Sequence, residues 1–192
     1  MAIGSELITI IMKSVLYQQY KKEIVPALKK EFGYKNVMQV PKLEKVVINV
    51  GYGKHAKEKN YVEHVEKVLS AISGQKPIHN KSKKSISNFK IREGMSIGAS
   101  VTMRGNKMYD FVYKLVNVTF PRIRDFRGIN PKAFDHQGNY TVGIKEQLAF
   151  PEITSSMVDI IHGLEITFVI KGGNKEQNFS LLSKMGFPFR NK

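Results

Sequence analysis

Cysteine and tryptophan are absent from this 192-residue chain, and acids are scarce, with 16 Asp plus Glu against 31 Lys plus Arg. Without cysteine there is no disulfide, no thiolate zinc site and no cysteine nucleophile, and the composition fits a reducing compartment. No stretch approaches the roughly 18 apolar residues a membrane span requires, and the N-terminus lacks the charged start and small-residue cleavage site of an export signal. The protein is therefore expected in the cytosol, with no membrane partner. Pro/Ser-rich linkers, abrupt shifts of composition and internal repeats are missing too, so the 42% hydrophobic content is expected to build one core in one domain. Met12-Lys13-Ser14 reads as a second start, which makes residues 1–11 a dispensable extension of a domain spanning 12–192.

What is present is positive charge. The net charge is +15, and nearly half of it falls between Lys76 and Lys107, where eight Lys or Arg residues face one acid, Glu93. Such a surplus repels itself in a compact chain and calls for an anionic partner. Nucleic acid is the first candidate, because no basic amphipathic helix with a bulky apolar face offers itself to a membrane.

Periodicity orders the rest. Leu16, Tyr20, Ile24, Leu28 and Phe32 mark one helical face, with Pro26 opening a second segment and Gly33 closing it. Residues 43–50 alternate, placing Val46, Ile48 and Val50 toward a core and Lys45, Val47 and Asn49 on the opposite side. Asn60 with Glu63 caps a helix carrying Tyr61, Val65, Val68, Leu69 and Ile72 and ending at Gly74. Residues 89–92 and 97–104 read as a hairpin around Glu93-Gly94-Met95-Ser96. Its core side would be Phe89, Ile91, Ile97, Ala99, Val101 and Met103, and its open side Lys90, Arg92, Gly98, Ser100, Thr102 and Arg104. Met108, Phe111, Val112, Leu115, Val116 and Thr119 make a helix running to Pro121; a long loop, strands at 140–147 and 164–170 and a helix at 176–185 complete the chain. The expected fold class is α+β, a single-domain two-layer sandwich with a mainly antiparallel sheet and helices packed on one face.

Chemistry is not indicated. Gly51-Tyr52-Gly53-Lys54-His55-Ala56 imitates a dinucleotide fingerprint but lacks the ribose-binding acid that should follow. His55, His64, His79, His136 and His162 are scattered without metal-ligand spacing and are expected at the surface or in loops, so neither a metal nor a cofactor is expected. Glu63, His64 and Glu66 fall on the polar side of a helix; an RNA-processing enzyme using Glu63, His64 or His79 as acid or base is the rival reading. The hairpin face argues otherwise, since small Gly98, Ser100 and Thr102 admit a ribose edge while Lys90, Arg92 and Arg104 meet phosphates. A flat platform of short polar side chains suits the shallow minor groove and 2′-hydroxyls of A-form RNA, and it lacks the exposed aromatic pair of single-strand readers.

Gly74-Gln75-Lys76-Pro77, Lys84-Ser85-Ile86, Phe89-Lys90-Ile91-Arg92-Glu93-Gly94-Met95 and Val101-Thr102-Met103-Arg104-Gly105 resemble, in order and spacing, the bacterial 5S rRNA-binding family of the large ribosomal subunit. Pro121-Arg122-Ile123-Arg124-Asp125-Phe126-Arg127-Gly128, Phe134-Asp135 with Gly138-Asn139-Tyr140, and Phe150-Pro151-Glu152-Ile153 continue the likeness. The resemblance implies docking on 5S rRNA in the central protuberance through Asn49, Gln75 and Thr102, alongside neighbouring large-subunit rRNA and ribosomal proteins. Cations Lys76, Lys83, Lys84, Arg92 and Arg104 are expected to supply the attraction to phosphates. It also implies a loop made of Phe134, Asp135, His136, Gln137, Gly138, Asn139 and Tyr140 that approaches peptidyl-site tRNA, and a contact with a protein of the small-subunit head. In that loop His136 and Gln137 stand where the family has a glycine and an arginine, so a cation toward the tRNA is lost.

Overall fold

The structure, a computed structural model, describes residues 14–154 and 160–190; the extension at 1–11 lies outside the described residues. Five strands, β1 (Lys42–Gly51), β2 (Ile78–Lys81), β3 (Ser96–Met103), β4 (Tyr140–Ile144) and β5 (Leu164–Lys171), form one sheet. Their order is β2-β3-β1-β5-β4, and every neighbouring pair is antiparallel. The α+β class and the single sheet with helices on one face are as the patterning implied.

Alternation decides which face is covered. Val46, Ile48 and Val50 of β1, Ala99, Val101 and Met103 of β3, and Ile166 and Phe168 of β5 all point into one buried core. Against them pack α3 (Lys59–Ser73) through Val65, Val68, Leu69 and Ile72, and α4 (Gly105–Lys114) through Met108, Phe111 and Val112. The N-terminal α1 (Val15–Gln19) and α2 (Val25–Phe32) and the C-terminal α6 (Lys175–Lys184) extend this layer with Leu16, Leu28, Leu181 and Leu182.

Two helical runs widen just before a proline. A π turn at Tyr20–Ile24 precedes Pro26, and another at Leu115–Thr119 precedes Pro121 in the short α5 (Phe120–Arg122). Proline has no N–H to donate four residues back and its ring crowds that carbonyl, so the preceding turn relaxes outward and the helix continues without breaking.

The sequence-based hairpin needs correction. The partner of β3 is β2 at 78–81, not 89–92, and Ser87–Phe89 is a 3-10 turn ending in left-handed Lys90. Phe89, expected in the core, is 69% exposed, and Lys90 and Arg92 lie on a projecting lobe instead of the sheet. The alternation Phe-Lys-Ile-Arg imitates a strand. The real edge strand hides because it turns Ile78 outward, 73% exposed, and polar His79 inward. Smaller departures concern helix and strand ends. The first residue of α3 is Lys59, so Asn60 lies in its first turn and not at the cap. β4 stops at Ile144, and buried Gln147 then accepts from the His162 N–H at 2.7 Å and donates to the Ile160 carbonyl.

Candidate nucleic-acid interface

The uncovered sheet face is a grid of short side chains. One row crosses four strands as Thr102, Val47, Thr167 and Thr141, and the next crosses all five as Ile78, Ser100, Asn49, Glu165 and Gly143. A third row is Asn80, Gly98 and Gly51. Ser100 Oγ donates to Asn80 Oδ1 at 3.3 Å, and the hydroxyls of Thr141 and Thr167 lie 3.1 Å apart, so the polar atoms are held in a shallow layer. At Gly98 a Cβ would stand 3.1 Å from the Val50 carbonyl, which keeps the floor there at backbone height. Asn49 and Thr102 both lie on this face, as alternation placed them. The contributions of β4 and β5, notably Glu165, Thr167 and Thr141, were missed, although the same period-two signal opposite Ile166 and Phe168 marks them.

Gln75 and Lys76 sit in the turn that leaves α3. Gly74, at φ +63°, adopts the left-handed conformation that ends the helix. Ser73 Oγ donates to the Leu69 carbonyl and accepts from the Gln75 N–H, fixing the Gln75 backbone. Beneath the turn the buried Tyr52 hydroxyl meets His79 Nδ1 at 2.8 Å, and His79 Nε2 lies 3.4 Å from Glu66 Oε2. Burial, aided by the Glu66 charge, pushes the Tyr52 hydroxyl above its ordinary value. Glu66 also reaches Lys76 at 4.0 Å. His79 and Glu66 thus tie β2 to α3, and His64 packs its ring 5.7 Å from that of His162, away from this network. Glu63, His64 and His79 are therefore not assembled as an acid–base group.

His162, expected at the surface or in a loop, lies in the loop before β5 but is buried there, and burial, reinforced by His64, lowers its pKa to about 4. Neutral imidazole is the form the fold holds. No group of three or more metal-ligating side chains converges among the described residues.

Cations rim the β2 and β3 side. Arg104, exposed at the end of β3, lies 3.7 Å from Glu44, while Lys83, Lys84 and Arg92 stand on the lobe at 82–95, all exposed. Glu165, exposed on β5, places an acid on the other half of the open face.

The loop before β4 is mostly scaffold. Tyr140 is 0% exposed; its hydroxyl donates to the Asn130 carbonyl, and burial raises its pKa to about 12. Gly138 is also buried, its carbonyl accepting from Asn178 Nδ2 at 3.0 Å. Asn139 donates from its backbone and side chain to Asp135, both at 2.8 Å, and its Oδ1 accepts from the Ile170 N–H. Burial opposes the Asp135 charge, but these bonds, with those from Gln137 and Gly138, outweigh it and hold the carboxyl below its usual value. Phe134 packs on Tyr140, which leaves Asp135, His136 and Gln137 as the exposed tip.

Sequence comparison adds the ancestry of this arrangement. Residues 36–92 match the family model "Ribosomal protein L5", and residues 96–189 match the model of the C-terminus of the same ribosomal family. The "Large ribosomal subunit protein uL5" of Halothermothrix orenii is 54% identical over 176 residues, covering 92% of this chain and 98% of that one. Those of Fervidobacterium nodosum and Lactobacillus acidophilus are 53% and 51% identical, covering 91% and 93% of this chain and 95% and 99% of theirs. With two family models in sequence and half of all positions shared over nearly the full length, the chain belongs to the bacterial uL5 family, non-enzymatic structural components of the large ribosomal subunit in the cytoplasm.

Proposed function

We propose that the open sheet face docks on 5S rRNA in the central protuberance, with Asn49, Gln75 and Thr102 setting the seat. The observation that carries this reading is the uncovered, flat grid of short hydrogen-bonding side chains beside a cationic rim. Such a surface can approach 2′-hydroxyls and the minor groove edge of a folded RNA, which longer side chains would hold off. Lys76, Lys83, Lys84, Arg92 and Arg104 supply salt-dependent attraction to phosphates, while the neutral groups fix orientation. Neighbouring large-subunit rRNA and proteins surround this contact. The tip Asp135, His136 and Gln137 approaches peptidyl-site tRNA, and another part of the surface meets a protein of the small-subunit head.

Thr102→Arg tests the assignment. The substitution sets a long side chain at the β3 end of the first row of the grid, at an exposed position, so circular dichroism should remain that of the parent. Filter binding of 5S rRNA should weaken by more than about tenfold, roughly 1.4 kcal/mol. Undiminished affinity would move the docking surface elsewhere.

A further inference from the structure

The lobe between β2 and β3 carries a feature the sheet lacks. Residues 82–95 are closed by their own backbone: the Ser82 N–H donates to the Met95 carbonyl at 2.8 Å and the Gly94 N–H to the Ser82 carbonyl at 2.9 Å. Farther out, Ile86 and Ile91 exchange bonds of 2.9 and 3.2 Å, and the Glu93 N–H donates to Ser85 Oγ. At the tip the Lys90 N–H closes onto the Ser87 carbonyl, with Lys90 itself at φ +54°, a conformation side chains rarely adopt. This ordered turn holds Phe89 outward as the most exposed of the chain's 11 phenylalanines. The same stretch of chain, residues 81–93, carries Lys81, Lys83, Lys84, Lys90 and Arg92, all exposed, with the single acid Glu93. Among the described residues, Lys83, Lys84, Lys90 and Arg92 enter no salt bridge.

From this we infer that Phe89 is a stacking anchor for an unpaired RNA base, with Lys84, Lys90 and Arg92 meeting the phosphates on either side. The inference rests on the RNA-binding reading above and adds to it a second mode, because the sheet reads a folded surface whereas a ring needs a base turned out of its helix. An exposed π-face on a lobe rich in unpaired cations matches the two groups each nucleotide offers. A protein partner would call for a core poor in charge. A membrane would call for a broad apolar face, and the tip offers only Phe89 and part of Ile86.

The absence of tryptophan makes the test direct, since Phe89→Trp introduces a lone indole. It is titrated with 5S rRNA, with an unstructured mixed-sequence oligoribonucleotide, with a fully paired RNA duplex and with anionic phospholipid vesicles, while 5S rRNA binding is followed separately by filter retention. Quenching by the oligoribonucleotide, or by 5S rRNA, with the duplex inert, is the expected result. Phe89→Ala should then lower oligoribonucleotide affinity roughly 5- to 150-fold and Phe89→Tyr should retain it. Retention of 5S rRNA without any quenching overturns the anchor and leaves the sheet reading standing. Quenching by the oligoribonucleotide without retention of 5S rRNA keeps the anchor and removes the sheet reading. Equal quenching by the duplex, or a response to vesicles alone, overturns the anchor.

Discussion

Two loops leave this sheet toward solvent, and they are held in opposite ways. The loop at 130–140 is nailed down by side chains: Tyr140 fills the core, Asn178 bonds the Gly138 carbonyl, and Asn139 ties Asp135 to β5. The lobe at 82–95 is held by backbone bonds and leaves almost every side chain of its outer half in water. The first leaves its tip, Asp135, His136 and Gln137, exposed while its base is held in place. The second presents its chemistry directly, so substitutions there alter binding and leave stability nearly untouched.

The largest expected effect follows from the first loop. Tyr140→Ala removes a fully buried ring and its bond to Asn130, and chemical denaturation should show a loss of about 3–5 kcal/mol. A loss near zero would mean that the loop is not anchored in the core. Next comes Asn178→Leu, which strips the Gly138 carbonyl of its donor in a buried setting and should cost about 1–3 kcal/mol in the same measurement. Phe89→Ala should stay within about 0.5 kcal/mol of the parent in stability, and a cost comparable to that of Tyr140→Ala would show the ring to be packed. Replacing Lys84 in the same lobe should flatten the salt dependence of RNA affinity by about one counterion. The smallest effect concerns pH. Asp135 has a folded-state pKa below its ordinary 3.8, so its contribution is complete above that value and lost as pH falls through the lowered one. The protection factor of the Asn139 amide against hydrogen exchange should therefore hold from neutrality down to about pH 4 and fall only in stronger acid; a fall near pH 6 would contradict this assignment.

Much of this architecture was legible in residue order. The face of β1 follows from Val46, Ile48 and Val50, and the helix stops follow from Gly33 and Gly74, because period and cap are local properties. Two aromatics mark the limit. Phe89 alternates with Lys90 and Arg92 as a strand residue would, and Tyr140 closes a motif associated with contact, yet the first is exposed and the second buried. What separates them is tertiary: β3 pairs with 78–81, which releases 89–92 from the sheet, and β5 with Phe187 and Phe189 encloses Tyr140. The buried state of His162 was equally hidden, since it depends on Gln147 and His64 arriving from distant segments.

The most direct test of the docking face is site-directed photocrosslinking with benzoylphenylalanine at two positions. Ile78 ends the row through Ser100 and Asn49 on the open face, and Val118 is exposed on the helical layer. Crosslinks to 5S rRNA from position 78, and none above background from position 118, are the result expected. Strong crosslinking from 118 with silence at 78 would place the RNA on the helices and contradict the account.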